Sequence, residues 1–368
     1  MKNNHAFRIL IQNIIPIYVV LVSGAVNAQS YSASLLNGTY SHARDINDSG
    51  IVVGELTTPG RATVWTKTAV TELTTPPGTY SSASGINSIG HIVGSSNFAA
   101  GFGSHATVWY NQTAVDLGTL GGSSSTASDI NNNGQIVGSS YLAGNTSHRA
   151  TLWTNNSAND LGTLGGSYSS ANSINDNSIV VGFSAISGDA EHHAVVWQGA
   201  TVIDLGTLGG KYSEAHDINN SNTIVGSSSI TGNATTHATI WRNMTAHDLG
   251  TLGGSYSFAN GVNDSGLIVG ASTLVGQSVF LATLWRDEMV INLNDFLSED
   301  VKRAGWYLSE ATAINNKGDI IGMARNDTIF RHEGFILSAT SVPEPTTLIL
   351  LSLGFLAFGF VRRLSAHS

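Results

Sequence analysis

The chain has 368 residues, of which 41% are hydrophobic and 11% charged, with a formal net charge of -9 and no cysteine. Disulfides, thiolate metal sites and thiol catalysis are excluded together, and the negative balance argues against nucleic acid and anionic lipid as main partners. With so few charges the surface has to be built from Ser, Thr, Asn and Gly, which suits an exposed β-protein.

At the N-terminus, Lys2 and Arg8 precede an apolar stretch over residues 14–22 and the small-residue segment Val26-Asn27-Ala28. This is the pattern of a secretory signal peptide cleaved after Ala28, so residues 1–28 are set apart from the fold.

A repeat follows. Seven times an Ala stands four residues before an Asn, and the Asn seven before a Gly: Ala43, Ala83, Ala127, Ala171, Ala215, Ala259 and Ala311, then Asn47, Asn87, Asn131, Asn175, Asn219, Asn263 and Asn315, then Gly54, Gly94, Gly138, Gly182, Gly226, Gly270 and Gly322. Trp65, Trp109, Trp153, Trp197, Trp241 and Trp285 recur every 44 residues. A period of that size marks a modular array. In the unit over residues 167–210, β-type runs at 171–175 and 179–182 flank Asp176-Asn177-Ser178, and runs at 193–197 and 202–205 flank Gly199. That is two hairpins, hence four short strands. Three residues after each Asn come Gly50, Gly90, Gly134, Ser178, Asn222, Gly266 and Gly318, a set that fits a tight turn ending at positive φ. The constant Ala fits an innermost strand where units converge, with Trp filling the wider gaps outside.

Seven such units predict an all-β fold, a seven-bladed β-propeller over residues 29–340, with a strand at 33–36 completing the last blade and tying first to last. The equal spacing of 22 residues between Asn and Trp in the middle units suits an open β-solenoid as well.

The repeats resemble the HAF repeat of extracellular bacterial proteins. DLGTLGG is intact at Asp116, Asp160, Asp204 and Asp248, followed by the Ser/Tyr segment, an Ile-Asn turn and the Ile-Val-Gly strand. The naming triplet departs to His105-Ala106-Thr107, His193-Ala194-Val195 and His237-Ala238-Thr239, with Arg61, Arg149 and Leu281 replacing His elsewhere. The resemblance implies an extracellular setting and carries no catalytic residue.

Asp45, Asp129 and Asp217 open half of a calcium loop, but its ninth and twelfth positions lack ligands, so a turn capped by its own side chain explains them. His105, His193 and His237 would make a metal ring only if they converged, and Arg61 and Arg149 in equivalent places oppose it. The repeated Asp116, Asp160, Asp204 and Asp248 read as caps. Neither metal nor cofactor is expected. Tyr40, Tyr80, Tyr168, Tyr212 and Tyr256, each seven residues before a repeat Asn, offer a candidate surface for stacking on sugars, with strand packing as the plain alternative. The repeat breaks between Trp285 and Asn315, where the spacing is 30 residues. This insertion reads as a short amphipathic helix over one face, and its Glu299 and Glu310 are the pair that a polysaccharide hydrolase or lyase would use.

At the C-terminus, Val342, Pro343, Glu344 and Pro345 precede an apolar stretch over residues 346–361 and the basic pair Arg362 and Arg363. This segment, residues 341–368, resembles the PEP-CTERM sorting signal. The resemblance implies a hydrophobic helix held in the membrane before processing by an exosortase, with release or display at the cell surface. Proteins of that sorting system accompany exopolysaccharide production, which implies a non-enzymatic role in an extracellular matrix or biofilm, with extracellular polysaccharide as ligand. A protein-partner scaffold at the cell surface is the other non-enzymatic reading.

Overall fold

In a computed structural model, the residues described are 30–38, 40–58, 60–75, 80–98, 103–155, 157–287 and 289–340. The expected signal peptide and C-terminal helix lie outside them. The chain divides into two units: Ser32–Ser338 holds the repeats, and Met1–Tyr31 with Ala339–Ser368 forms the other.

The repeats build four-stranded antiparallel sheets, here A to G in chain order. Sheet A runs Ser41–Ile46, Val52–Leu56, Arg61–Trp65, Val70–Glu72; sheet B runs Ser81–Ile86, Ile92–Ser96, His105–Tyr110, Thr113–Asp116. Sheet C comprises Gly121–Ile130, Ile136–Leu142, His148–Thr154, Ser157–Asp160, and sheet D comprises Gly165–Ile174, Val180–Ile186, His192–Gln198, Thr201–Asp204. Sheet E holds Gly209–Ile218, Ile224–Ile230, Thr236–Arg242, Thr245–Asp248, and sheet F holds Gly253–Val262, Ile268–Leu274, Phe280–Arg286, Met289–Asn292. In sheet G, Tyr307–Ile314, Ile320–Asn326 and Arg331–Thr340 are followed not by a later strand but by Ser30–Leu35 from the start of the chain. The strand expected at 33–36 is thus present and begins earlier. A single parallel bridge, His192 to Tyr212, joins sheets D and E. In sheets C to F the first strands are longer than expected because they continue back through the GGSYS-type segment.

The repeated Ala, Asn and Gly have separate physical causes. Each Ala is at most 2% exposed, packed where a larger side chain has no room. It pairs with the repeat Gly, Ala171 with Gly182 for instance, and the register slips immediately afterwards. The bulge drives the preceding carbonyl onto the Gly: a Cβ at Gly182 would overlap the Ser170 oxygen, and one at Gly226 that of Glu214. That Gly is needed for close approach. The glycines three residues after the Asn are needed for conformation, with φ of 75 to 85° at Gly50, Gly90, Gly134, Gly266 and Gly318, and 62° and 63° at Ser178 and Asn222.

Each Asn amide works at both ends. In sheet D, Asn175 Oδ1 accepts from the backbone N–H of Asn177 and Ile179, at 3.1 and 3.0 Å, closing its own turn. Its Nδ2 donates to the carbonyl of Asn219 in sheet E, at 3.1 Å. The same donation runs Asn47 to Asn87, Asn87 to Asn131, Asn131 to Asn175, Asn219 to Asn263 and Asn263 to Asn315. Asn315 then donates to the Asn47 carbonyl at 3.2 Å, so the chain of bonds returns to its first member. An amide carries its acceptor and its donor on two separate atoms, so one side chain can close the turn and reach the next sheet at once; a carboxylate lacks the donor, and a hydroxyl has a single atom for both tasks. One residue on, the outer series needs acceptors alone: the backbone N–H of Asn132 donates to Asp176, Asp176 to Asn220, Asn220 to Asp264, Asp264 to Asn316 and Asn316 to Asp48. Asp or Asn stands at that position in every sheet but B, which has Ser88.

The apolar core lies between sheets. Trp197 of sheet D packs with Val137 and Ala150 of sheet C, and Trp241 of sheet E with Val181 and Ala194 of sheet D. Trp65 of sheet A packs with Ile321 of sheet G. Removing one such indole would cost on the order of 3–5 kcal/mol. Polar bonds follow the same path: Ala194 N–H donates to Ser213 Oγ of the next sheet at 2.9 Å, and Gly334 N–H of sheet G to Ser41 Oγ of sheet A at 2.9 Å.

The insertion departs from expectation. It forms a 3-10 turn, Leu293–Phe296, and one helical turn, Glu299–Arg303. The helix buries no residue and so is not an amphipathic cover; Leu293 and Leu297, just ahead of it, are the buried anchors.

The double role of the amide sets a test. Asn175→Asp should lower unfolding stability by about 2–3 kcal/mol, since it removes the donor and turns a charge toward the Asn219 carbonyl. Asp176→Asn should stay within about 0.5 kcal/mol. Denaturant melts of the two variants check the contrast, and equal effects would refute the assignment.

Candidate ligand-binding end

Antiparallel pairing gives every repeat two ends. The Asn turns join first and second strands at one; the loops joining second and third strands lie at the other, with the start of the Tyr-bearing first strands.

At the Asn end a cavity of about 200 Å³ is lined by the residues around the repeat Asn of all seven sheets, with Asp45, Asp129 and Asp217 among them. These three do not form a calcium loop. Asp45 accepts from the backbone N–H of Ile46 in its own sheet at 2.7 Å and of Ile86 in the next at 2.8 Å. Asp129 does the same with Ile130 and Ile174, and Asp217 with Ile218 and Val262. The carboxylates clamp sheet A to B, C to D and E to F. Equivalent positions in the other sheets carry Gly85, Ser173, Gly261 and Ala313. Small residues are required there: a Cβ at Gly85 would lie 3.3 Å from Asp129 Oδ1. Ser173 Oγ lies 2.9 Å from carboxyl oxygens of both Asp129 and Asp217, and its single proton serves only one of them. Burial first, and the Asp129 charge second, push Asp45 up to about 7. Burial likewise raises Asp129 to about 6 and raises Asp217.

The opposite end carries the sequence-predicted Tyr and His. The five Tyr do not form a closed set of their own. Histidines join them instead: ring centroids run Tyr141 to His148 at 5.9 Å, His148 to Tyr168 at 5.7 Å, Tyr168 to His192 at 6.5 Å and His192 to Tyr212 at 4.9 Å, across sheets C, D and E. Tyr256 meets Phe280 at 6.5 Å, and Tyr40 meets His332 at 5.0 Å. The Tyr80 hydroxyl donates to Glu55 at 3.0 Å. Tyr80, Tyr212 and Tyr256 are 41–44% exposed, which leaves their ring faces accessible.

His105, His193 and His237 do not converge. Each pairs with the Asp eleven residues on, at 2.9, 2.8 and 2.7 Å to Asp116, Asp204 and Asp248. The other oxygen of each Asp caps the following turn through the N–H of Gly118, Gly206 or Gly250. Arg149 takes the place of His against Asp160 at 3.7 Å. A sequence signal for the pairing existed: where Leu281 replaces the His, Asn292 replaces the Asp. The two insertion carboxylates have separate partners, Lys302 for Glu299 at 3.2 Å and the Asn260 amide for Glu310 at 2.9 Å.

Two further carboxylates at this end were not legible in the sequence. Glu214 faces His192 at 3.1 Å and His216 at 3.7 Å, which hold it down at about 2. Glu55, 5% exposed, is held at about 2 by His42, with Arg44 at 3.2 Å also lowering it.

Comparison with known proteins finds the PEP-CTERM protein-sorting motif at residues 341–363. This motif is a substrate signal for exosortase processing and marks an extracellular, surface-sorted protein. No curated protein matches the chain. Among the described residues no helix is long and apolar enough to cross a membrane, and the expected C-terminal anchor lies outside them.

The two ends respond to pH in opposite senses. Glu55 is depressed from 4.5 to about 2, so its stabilisation is present above about pH 4.5 and is lost as pH falls toward 2. Asp45 and Asp129 are raised from 3.8 to about 7 and about 6, so their contribution is full below about pH 4 and is lost as pH rises through 6 to 7. Thermal stability should therefore peak near about pH 4–5. Melting temperatures across pH check this: Glu55→Gln should flatten the acid limb and Asp45→Asn the neutral limb, and a profile still rising at pH 8 would contradict it.

Proposed function

We propose that the chain is a seven-bladed β-propeller of HAF-type repeats, exported and displayed at the cell surface as a non-enzymatic module that binds extracellular polysaccharide. The closed course of Asn-to-Asn bonds and the placing of strand Ser30–Leu35 in sheet G support the propeller over an open solenoid, which would leave its first and last sheets unlinked. Exosortase recognises the C-terminal segment, whose apolar stretch anchors the protein until it is processed.

One observation carries the ligand reading: the end away from the Asn turns exposes aromatic faces among histidines, carboxylates and hydroxyls, on first strands whose other end is stitched sheet to sheet. Aromatic faces stack on the C–H faces of sugars, and the polar groups between them bond hydroxyls. The repeated carboxylates are occupied with caps and clamps, which supports a binding role without turnover. A second reading, a scaffold for a protein partner, is favoured by the exposed apolar loop residues Val275, Ile329 and Phe330, at 75, 51 and 86%.

Titration of the purified full-length protein with bacterial exopolysaccharides, followed by sizing of the chains, tests this. Saturable binding with chain length unchanged is the expected result. Shortened chains would overturn the non-enzymatic reading and bring Glu310 forward, and no binding to any polysaccharide would leave the protein-partner scaffold.

A further inference from the structure

We infer that a cavity between sheets F and G is a binding site for one neutral pyranose ring, with Phe280 as its stacking face and Glu310 and Arg325 as its polar contacts; this rests on the saccharide reading above. The cavity measures about 290 Å³ and is lined by Phe258, Val279, Phe280, Tyr307, Glu310 and Arg325, among others.

Its origin is a break in the repeat. Between sheets D and E, the Tyr212 ring packs against His192, the first residue of the third strand. Phe280 holds that place in sheet F. In sheet G, however, the residue seven before the repeat Asn is Leu308, which is 2% exposed and turned into the core. The register slips between Leu308 and Glu310, which brings Tyr307 opposite Arg325; its hydroxyl donates to Asp327 at 3.0 Å, and it lines the cavity as one wall.

The lining is chemically two-sided. Phe258 and Phe280 stand 5.4 Å apart and make an aromatic wall. Facing it, Glu310 has one oxygen fixed by Asn260 at 2.9 Å and the other left to accept. Among the described residues Arg325 makes no ion pair, and it does not pair with Glu310, so its donors stay available. A carboxylate and a guanidinium not bonded to one another can accept from one hydroxyl and donate to its neighbour. A pyranose presents that combination, an apolar C–H face and an edge of adjacent hydroxyls. A phosphate or other strong anion would be repelled by Glu310, and an apolar peptide would bury two charges without partners. The volume, near the lower limit of about 300 Å³ for ligand pockets, admits one sugar ring, not an enclosed chain.

The test is calorimetric titration of the full-length protein with neutral trisaccharides of glucose, galactose and mannose, and with a glucuronate trisaccharide, alongside exopolysaccharides. Variants are Phe280→Ala, Glu310→Gln, Arg325→Lys and, as a control at the Asn end of sheet B, Tyr110→Ala, each checked for an unchanged melting temperature. Arg325 lies on the exposed rim, so Arg325→Lys keeps the test valid if Phe280→Ala unfolds. The expected result is saturable binding of at least one neutral trisaccharide, weakened about tenfold or more by the cavity substitutions and left within about twofold by Tyr110→Ala, tenfold being 1.4 kcal/mol. Saccharide binding that survives the cavity substitutions overturns this site while the broader reading stands. Preference for the glucuronate overturns the neutral assignment. Absence of binding to every saccharide, polymers included, overturns both.

Discussion

The structure depends on one side chain doing two incompatible jobs at a distance of a few ångströms. An asparagine at the first turn of each sheet must close that turn with its oxygen and reach the neighbouring sheet with its nitrogen. Each four-stranded sheet is too small to bury an apolar face alone, so the unit of stability is a pair of sheets, and the amide fixes how consecutive pairs meet. Once that contact is set, the Ala has no space to grow, the Trp finds a gap of fixed width, and the bulge beside the Ala presses a carbonyl against a residue that must be Gly.

The result separates cohesion from display. At the Asn end, nearly every polar group is used between or within sheets: amides to carbonyls, carboxylates to paired N–H groups. At the other end, the His–Asp pairs brace the third strands of sheets B, D and E within their own sheets, and loops and ring faces are left to vary. Substitution in those loops changes the surface without touching the Asn-to-Asn bonds, an arrangement suited to a surface-sorted protein. Cohesion is carried by hydrogen bonds and apolar packing in place of disulfides, consistent with a chain that contains no cysteine.

Much of the fold was legible because it is local. The alternation of residues, the turn glycines and the 44-residue spacing of Trp give strands, hairpins and four-stranded units directly, and the early strand at 33–36 could be matched to the incomplete last repeat. What escaped were the contacts between units. Asn175 looked like a turn residue because its oxygen is one; that its nitrogen reaches Asn219 depends on a neighbour 44 residues away. His193 and Asp204 looked like separate features until the hairpin placed them face to face. The spacing marks the repeated Gly without giving its cause, a register slip that no propensity records. Glu55 stands where no other repeat places a carboxylate, Glu214 shares its place only with Glu310, and the cavity beside Phe280 adjoins a register slip between Leu308 and Glu310 that no spacing announces.

The carboxylate clamps carry a consequence of number. Asp45, Asp129 and Asp217 alternate with Gly85, Ser173 and Gly261 because two bulky acids cannot sit side by side over the same narrow cavity. Alternation of two kinds closes perfectly only on an even count, and the Asn circuit has seven members. One defect is therefore unavoidable: Ala313 falls between Gly261 and Asp45, and two successive junctions, F to G and G to A, go without a clamp. The same stretch accommodates the insertion and the cavity. Odd parity thus breaks the equivalence of the repeats and gives the Asn circuit a single address, a seam at which one junction can be told from every other.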